Sequence, residues 1–481
     1  MENINPDSFE RSVFSGIRWN LIISSGGQLS SIGFNLLLSR MLGPGDFGLL
    51  AAAMAFTGLI ETFGTLGSTS ALTQRAVVTD RFYSAVLVVT SLLAILMMLA
   101  IGFSSSFLAA FYNKPQLQDV FLLLMWSIPF QAIEAFPLSE LQRRLAFDKI
   151  AFTNILSIVV SGVVAVWLAY NGHGWIALGA RLLLVQSVRT LTLCAYAWPK
   201  FRFRPALSEI KELLHFGVPQ SLSQFLLVFG RKIDDILIGK WMGINALGIY
   251  SLAYSLYVWP VSNIKGRISQ VIFAAFSKIQ RDRTAMGSFY LKTVSLATLI
   301  GFPMIVGFSV VCDLAVPILL GDKWIQAIPI LRILGFASLF EICVFPGAIY
   351  QAIGQTKSYL KIILLTRMIA ASGILFALVA GYGIDGVAAS IVATSLVSFL
   401  VYNHFVKKII SVGHFALIRI ILKNSIPSVA MLALILMVRY FLNGRLAPLP
   451  ELTLSVLAGA GAYFLLMKRY HPEILTSKGI S

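Results

Sequence analysis

Apolar runs long enough to cross a lipid bilayer alternate with short polar connections along almost the whole chain. About 20 apolar residues form a helix that spans a hydrocarbon core about 30 Å thick. The fold class expected is therefore all-α: a polytopic membrane protein with about fourteen transmembrane helices and no soluble domain. The pattern predicts spans at residues 15–40, 46–72, 82–110, 117–138, 150–171, 174–198, 212–239, 246–276, 288–320, 325–353, 359–381, 385–406, 418–441 and 449–467.

Composition agrees with a chain whose solvent is mostly lipid. Of its 481 residues, 57% are hydrophobic and 12% are charged, whereas a soluble domain carries about 25% charged residues. Cys194, Cys312 and Cys343 are widely separated, and the histidines show no metal-binding spacing. The sequence thus predicts no metal site, no disulfide framework and no cofactor. Residues 1–16 lack the pattern of a cleavable signal peptide, so the first span is expected to direct insertion.

Basic residues lie mainly on one side of the predicted membrane. Connections rich in Lys and Arg alternate with connections that contain few, and short basic loops stay in the cytoplasm. Both termini are therefore predicted to be cytoplasmic, and the number of spans even. The net charge of +17 then reports topology rather than nucleic-acid binding. The cations on the opposite side are Arg40, Lys114, Lys240, Lys323 and Arg445.

A segment near the start of the chain recurs 200 positions later. In each copy a cation ends one helix, a glycine opens the turn, and a second glycine begins the next helix. A cation is favourable at a helix C-terminus, and glycine is favourable at the residue after it. The matching positions are Arg40 and Lys240, Gly43 and Gly243, and Gly48 and Gly248.

This recurrence predicts an internal repeat. Copies with an even number of spans share one orientation, so they form parallel repeats with a cavity between them. The domains expected are a six-helix lobe at 1–205, a second six-helix lobe at 206–410, and two extra helices with a cytoplasmic tail at 411–481.

Residues 37–51, LLSRMLGPGDFGLLA, resemble the first hairpin of bacterial polysaccharide exporters. The segment is similar to the pattern of Wzx-type flippases, in the colanic-acid and exopolysaccharide branch of the polysaccharide transporter family. Phe216-Gly-Val-Pro-Gln220, which opens the seventh span, also matches. The resemblance implies membership of the multidrug/oligosaccharidyl-lipid/polysaccharide exporter superfamily, with two lobes, alternating access and a cationic cavity.

The function implied by this resemblance is transport rather than catalysis. It implies that the chain flips an undecaprenyl-pyrophosphate oligosaccharide repeat unit across the bacterial inner membrane, for exopolysaccharide or lipopolysaccharide biosynthesis. The partners implied are that lipid-linked substrate, a coupling ion that is a proton or sodium, and polysaccharide polymerase or chain-length machinery.

A dianionic headgroup needs cations inside an otherwise apolar protein. A charged residue within a span is costly and faces an interior or a cavity, and arginine offers a fork that matches phosphate oxygens. The residues expected to line the cavity are Arg181, Arg189, Arg231, Lys265, Arg267 and Arg367.

Structural alternatives remain open for several of these cations. Arg231 is three or four residues from Asp234 and Asp235, and such neighbours on one helix face can form pairs that only fix packing. Lys265 and Arg267 could instead extend to the membrane surface if their helix ends earlier. For Arg181, Arg189 and Arg367 the alternative is pairing with an acid.

Acids within the spans are candidates for coupling transport to an ion gradient. A carboxylic acid in a low dielectric can exchange a proton in the physiological range. Each acid could equally neutralise one of the arginines. The candidates are Glu61, Asp235, Asp313 and Glu341.

Two other functions are weighed against the flippase. A cation-drug antiporter of the same superfamily would favour an acidic cavity, whereas the charges within these spans are slightly cationic in sum. A membrane polymerase or glycosyltransferase would favour a large aqueous loop or an acidic pair at an interface, and every connection is short. Asp234-Asp235 lies inside a predicted span. The chain is therefore not expected to be an enzyme.

Overall fold

The computed structural model describes residues 26–64, 66–75, 77–279, 282–410, 412–442 and 445–470. Over these ranges the protein is helical, and twelve helical segments are long and apolar enough to cross a membrane, two of them made of two consecutive helices. The start of the first predicted span lies outside the described residues, as do Arg11 and Arg18 of the amino-terminal segment. The protein is a multi-pass, all-helical membrane protein.

The chain divides into two compact units, residues 1–248 and 249–481. The helices, in chain order, are α1 (26–41), α2 (Pro44–Gly64), α3 (Ser68–Gln74), α4 (Asp80–Phe111), α5 (Gln116–Leu124), α6 (Ser127–Arg143), α7 (Phe147–Tyr170), α8 (Gly174–Tyr196), α9 (Leu207–Met242), α10 (Ile244–Ile279), α11 (Arg283–Leu319), α12 (Ala327–Glu341), α13 (Pro346–Ala352), α14 (Thr356–Val379), α15 (Gly383–Lys407), α16 (His414–Leu442) and α17 (Pro448–Tyr470).

The two units repeat one packing pattern. In the first unit, α8 packs against α7 and α6; in the second, α15 packs against α14 and α12. The pair α16 and α17 is added to the second unit by packing on α11. Many large apolar side chains point outward, among them Phe103, Phe107, Trp167 and Met368. Exposure of this kind is what lipid as a solvent requires.

Three of the predicted spans are interrupted. The span predicted at 46–72 breaks after α2, where Leu66 and Gly67 have positive φ, and continues as the short α3. The span predicted at 117–138 comprises α5 and α6, and Pro129 lies in the first turn of α6, where proline is tolerated. The span predicted at 325–353 comprises α12 and α13, with residues 342–345 outside either helix.

The repeated glycine turns pack against each other within the first unit. A Cβ at Gly48 would overlap the backbone carbonyl of Ile244, and a Cβ at Gly248 would overlap the backbone carbonyl of Pro44. Each copy of the motif therefore presents a glycine to the backbone of the other copy. The glycines are required because two helix starts approach each other closely.

α10 explains one difference between the twelve helical segments and the predicted fourteen spans. The helix runs from Ile244 to Ile279, and its part Ile244–Val258 is an apolar stretch shorter than the twelve candidate spans. The second half carries Lys265 and Arg267. A charged residue inside a membrane helix is costly, so these two cations are candidates for functional positions.

Candidate functional site

The break between α12 and α13 lies in the core of the second unit. Ile342, Cys343, Val344 and Phe345 are all buried. Phe345 adopts a non-helical conformation before Pro346, which is the first residue of α13, because the residue before a proline avoids the helical region. Irregular backbone at membrane depth is stable only where protein or a cavity surrounds it.

Lys265 supplies a polar partner at this break. Its Nζ donates a 2.8 Å hydrogen bond to the backbone carbonyl of Glu341, the last residue of α12. The same ammonium lies 5.9 Å from the centre of the Phe345 ring. A cation is favourable at a helix C-terminus because the last carbonyls carry partial negative charge. Lys265 thus stabilises the end of α12.

Three of the predicted site residues come together here. Lys265 interacts electrostatically with both Glu341 and Arg367. The hydroxyl of Tyr402 is within range of the charges of Arg367 and Glu341, and it is 3.0 Å from Thr366 Oγ1. We call Lys265, Glu341, Arg367 and Tyr402 the break cluster. The buried Tyr257 also interacts electrostatically with Glu341.

The break cluster lies deep within the predicted membrane. Glu341 is about 21 Å along the helix axis from the start of α12 at Ala327, and Arg367 is about 16 Å from the start of α14 at Thr356, at 1.5 Å per residue. Both distances reach the interior of a hydrocarbon core about 30 Å thick. The cluster therefore holds two cations and one acid at a depth where charge is costly.

The first unit contains a comparable ion pair between α6 and α8. Arg189 Nη2 lies 3.0 Å from Glu134 Oε1, and Gln186 donates to the other carboxylate oxygen at 2.6 Å. Glu134 is 8% exposed. The internal pairing weighed above as the alternative for Arg189 is therefore present.

Arg181 is held by neutral partners. Its guanidinium donates a 2.6 Å hydrogen bond to Asn35 Oδ1 and makes 3.4 Å contacts with Ser31. No carboxylate pairs with it among the residues that the structure describes. Its charge is thus not neutralised by a described acid, as a ligand for an anion requires.

In α9, Arg231 and its neighbour Lys232 have different partners. Lys232 Nζ forms a 2.8 Å ion pair with Asp235, which is buried. Arg231 is exposed and donates from Nε to the backbone carbonyl of Leu227. Arg267 of α10 is likewise exposed. Neither arginine has an ion pair with an acid in the described part of the chain.

The candidate coupling acids also have different surroundings. Asp313 lies 2.6 Å from Arg439 Nη2 and 3.4 Å from Arg332 Nη2, and Arg439 also contacts Glu451. Asp313 thus forms ion pairs with two guanidinium groups, whereas Asp235 forms an ion pair with the ammonium group of Lys232. Glu61 interacts with the neutral Gln131, and its carboxylate makes no ion pair within the ranges described above.

A separate network joins the loop after α3 to the start of α9. Arg75 lies 3.1 Å from Glu209 and 2.6 Å from Glu212, and its guanidinium stacks 3.9 Å from the centre of the Phe82 ring. Burial on its own would lower the pKa of Arg75, but the bonds and charges of Glu212 and Glu209 outweigh it and raise that pKa. Arg75 therefore stays charged at any physiological pH.

Several contacts were missing from the sequence-based interpretation. Arg439 and Glu451 lie at facing ends of the hairpin formed by α16 and α17, and their opposite charges across a short turn were a usable signal. Tyr402 and Tyr257 carried none, because aromatic residues are common in membrane helices and only packing brings these two to Glu341.

Comparisons with known proteins give the same kind of fold and a family match. Residues 37–329 match the family described as polysaccharide biosynthesis protein. The chain is 27% identical to the teichuronic acid biosynthesis protein TuaB of Bacillus subtilis (strain 168), with 97% of each chain covered. It is 25% identical to the succinoglycan biosynthesis transport protein ExoT of Rhizobium meliloti (strain 1021), with 95% of this chain and 92% of ExoT covered.

Two solved structures share the fold at low identity. The lipid II flippase MurJ in an inward closed conformation superposes with a TM-score of 0.78 at 15% identity, covering 95% of this chain and 99% of MurJ. An inward-facing multidrug resistance transporter of the MATE family superposes with a TM-score of 0.59 at 17% identity, covering 79% of this chain and 95% of that one. These likenesses concern the fold alone.

Proposed function

The chain belongs to the polysaccharide biosynthesis protein family, a family of polysaccharide transporters and not of enzymes, and on that premise we propose that it flips a lipid-linked oligosaccharide repeat unit. The substrate proposed is an undecaprenyl-pyrophosphate oligosaccharide, moved across the bacterial inner membrane for a surface polysaccharide. TuaB and ExoT are named for polysaccharides of this kind.

The observation that carries the proposal is the pair of cations at the break cluster. Lys265 interacts electrostatically with Arg367 and with Glu341, so two cations and a carboxylate come together between spans of an otherwise apolar bundle. Positive charge at membrane depth is costly, and an anionic ligand offsets that cost. A pyrophosphate passing through the protein has the charge and the hydrogen-bond acceptors that such cations match.

Arg181, Arg231 and Arg267 extend the proposed path for the headgroup. None of them pairs with a carboxylate among the described residues, so each can offer its guanidinium to a phosphate. Arg189 would contribute only if its bond to Glu134 opened. We propose these four, with Lys265 and Arg367, as the substrate-binding residues.

Topology and repeat organisation are part of the same proposal. We propose fourteen spans, made of the twelve helical segments already described together with α1 and α10, and both termini in the cytoplasm. Two six-helix lobes at 1–205 and 206–410, followed by two helices at 411–481, would form parallel repeats that open alternately to the two sides. The common packing pattern of α6 to α8 and of α12 to α15 supports the repeat.

Glu61 and Glu341 are the acids that we favour for coupling to a proton or sodium gradient. Asp313 and Asp235 already neutralise arginine or lysine side chains. Glu61 has the neutral partner Gln131, so a proton or a sodium ion could bind it without breaking an ion pair. Glu341 shares the break cluster with the proposed headgroup cations, which would link substrate and ion binding.

The alternative function is export of cationic drugs, because a multidrug transporter shares the fold. The break cluster speaks against it, because Lys265 and Arg367 lie within electrostatic range of each other there and both would repel a cationic drug.

Deletion of the gene separates the two functions. In the deletion strain, lipid-linked repeat units should accumulate on the cytoplasmic leaflet, as measured by labelling with a membrane-impermeant sugar-modifying enzyme in oriented vesicles. Normal export together with new sensitivity to cationic dyes would instead support the drug antiporter.

Arg267→Gln tests the site with little risk to the fold. Arg267 is exposed and makes no ion pair in the described ranges, so the variant should reach normal protein levels while export falls at least about tenfold, the effect of losing one charge-assisted contact. Lys292→Gln is the matched control, because Lys292 is also an exposed cation of a membrane helix but is not placed at the site. Normal export by Arg267→Gln would remove that residue from the path.

A further inference from the structure

A cavity of about 590 Å³ opens at one end of the second unit, between the ends of α11, α14 and α15 and the short α13. Its charged lining is entirely basic: Arg283 from the start of α11, Lys361 from the first turns of α14, and Lys408 just after α15. All three lie at the side of the membrane that the distribution of basic residues predicts to be cytoplasmic.

No carboxylate of the described residues pairs with these cations. Within the described residues, none of the three forms an ion pair, and Lys408 contacts the ring of Phe405 at 5.0 Å. The nearest acid in sequence is Asp282, whose carboxylate accepts from the backbone N–H groups of Thr284 and Ala285. The cavity therefore presents three positive charges with no described acid in its lining.

The rest of the lining is mostly apolar. Met286, Ile362, Leu365, Phe405 and Ile409 form its walls. Inorganic phosphate gains nothing from such walls, whereas a molecule with an anionic head and a hydrocarbon tail satisfies both parts of the cavity. The combination of basic and apolar lining thus favours a lipid.

The apolar wall continues onto the lipid-facing surface of α14. Lys361, Leu365 and Met368 are four and seven residues apart and share one helix face. Leu365 is 45% exposed and Met368 is 69% exposed. An acyl chain that leaves the cavity along this face would lie in the hydrocarbon core with its headgroup at the membrane surface.

The cavity is distinct from the break cluster. Ser358, Lys361, Ile362 and Leu365 line the cavity from one face of α14. Arg367 follows Leu365 by two residues, which places it about 200° away around the helix. One face of α14 therefore lines the cavity, and a different face carries Arg367 of the break cluster.

We propose that this cavity binds an anionic phospholipid of the cytoplasmic leaflet, with its phosphate between Lys361, Lys408 and Arg283. Basic pockets between membrane helices on the cytoplasmic side bind anionic headgroups. The cavity volume of about 590 Å³ lies within the range of pockets that bind small molecules. The inference does not depend on the transported substrate.

Native mass spectrometry of the full-length protein, released from detergent with mixed phosphatidylglycerol and phosphatidylethanolamine, tests this proposal. The wild-type protein should retain phosphatidylglycerol in preference to phosphatidylethanolamine. Lys361→Gln combined with Lys408→Gln should weaken that retention at least about tenfold, since each cation near an anionic surface contributes about fivefold. Lys407→Gln is the matched control, because Lys407 is exposed beside Lys408 but does not line the cavity.

The other outcomes overturn the proposal. Equal retention of phosphatidylglycerol by the double variant and by the wild-type protein would show that the cavity is not the site. Equal retention of both phospholipids would exclude recognition of the anionic headgroup. Displacement of phosphatidylglycerol by inorganic phosphate or ATP would assign the cavity to a soluble anion, and displacement by undecaprenyl pyrophosphate alone would assign it to the transported substrate.

Discussion

At the scale of single residues, the charges inside the spans fall into two groups. Glu134 with Arg189, Asp235 with Lys232, and Asp313 with Arg439 are pairs in which each charge is balanced by a neighbour. Such pairs contribute little net stability when intact, but an unpartnered charge left behind is costly. Arg181 and Arg267 have no described carboxylate partner and form the second group.

This grouping predicts how Arg189 responds to substitution. Arg189→Met should lower the free energy of unfolding by about 3–5 kcal/mol, because it strands the buried Glu134. Thermal stability in detergent and the amount of protein in the membrane measure the effect. Adding Glu134→Gln should restore most of the stability, since the amide can still accept from Gln186. A double variant that folds but does not export would place Arg189 on the substrate path; one that exports normally would make the pair purely structural.

At the scale of helices, glycine determines where the two repeated turns can meet. Gly48 and Gly248 each face a backbone carbonyl of the other turn, at a distance that leaves no room for a Cβ. Backbone atoms cannot rotate out of the way as a flexible side chain does. Any larger residue must therefore move one helix relative to another.

Gly48→Ala is expected to be destabilising although it replaces glycine inside a helix. Alanine gains about 1 kcal/mol over glycine in helix propensity, but overlap with the carbonyl of Ile244 should outweigh this gain by about 1–3 kcal/mol or more. Gly58→Ala in the same helix is the control, because nothing lies near its added Cβ. The thermal midpoint should fall for Gly48→Ala and stay equal or rise for Gly58→Ala. The reverse order would contradict the close packing.

The break between α12 and α13 depends on its cation in a similar way. Lys265→Met removes the donor to the Glu341 carbonyl and should cost about 1.5–3 kcal/mol, the range for a hydrogen bond to a charged group. Lys265→Arg retains a cationic donor and should be close to wild type in thermal stability. If Lys265→Met is as stable as the wild-type protein, another group satisfies the carbonyl and Lys265 serves only the substrate.

The sequence was informative about helices but not about their interruptions. Spacing of apolar residues placed a helix at every predicted span over the described residues, since hydrophobic length is the dominant constraint in a bilayer. The break at 342–345 was missed because its residues are as apolar as the helices on either side. Pro346 was the one local signal for that break. Contacts such as those between Lys265, Glu341 and Arg367 arise from packing of α10, α12 and α14, which span-by-span reasoning does not supply.

At the scale of the whole molecule, the charge alternation and the repeat predict the same topology, with parallel repeats and both termini in the cytoplasm. Lys114, between α4 and α5, and Lys323, before α12, lie in connections with few cations. Lys149 and Lys357 lie near the starts of α7 and α14, on the basic side. All four side chains are exposed, so each can report on the side of the membrane that it faces.

Single cysteines at these four positions would determine the topology. In a background in which Cys194, Cys312 and Cys343 are replaced by serine or alanine, an impermeant maleimide should label Lys114→Cys and Lys323→Cys in intact cells. Lys149→Cys and Lys357→Cys should be labelled only after the membrane is made permeable, because loops rich in Lys and Arg stay in the cytoplasm. Seven spans are predicted between Lys114 and Lys357, so an even number of crossings there would place these two residues on the same side of the membrane. Labelling of Lys357→Cys in intact cells would contradict the parallel repeat, and with it the cytoplasmic position proposed for the phospholipid cavity.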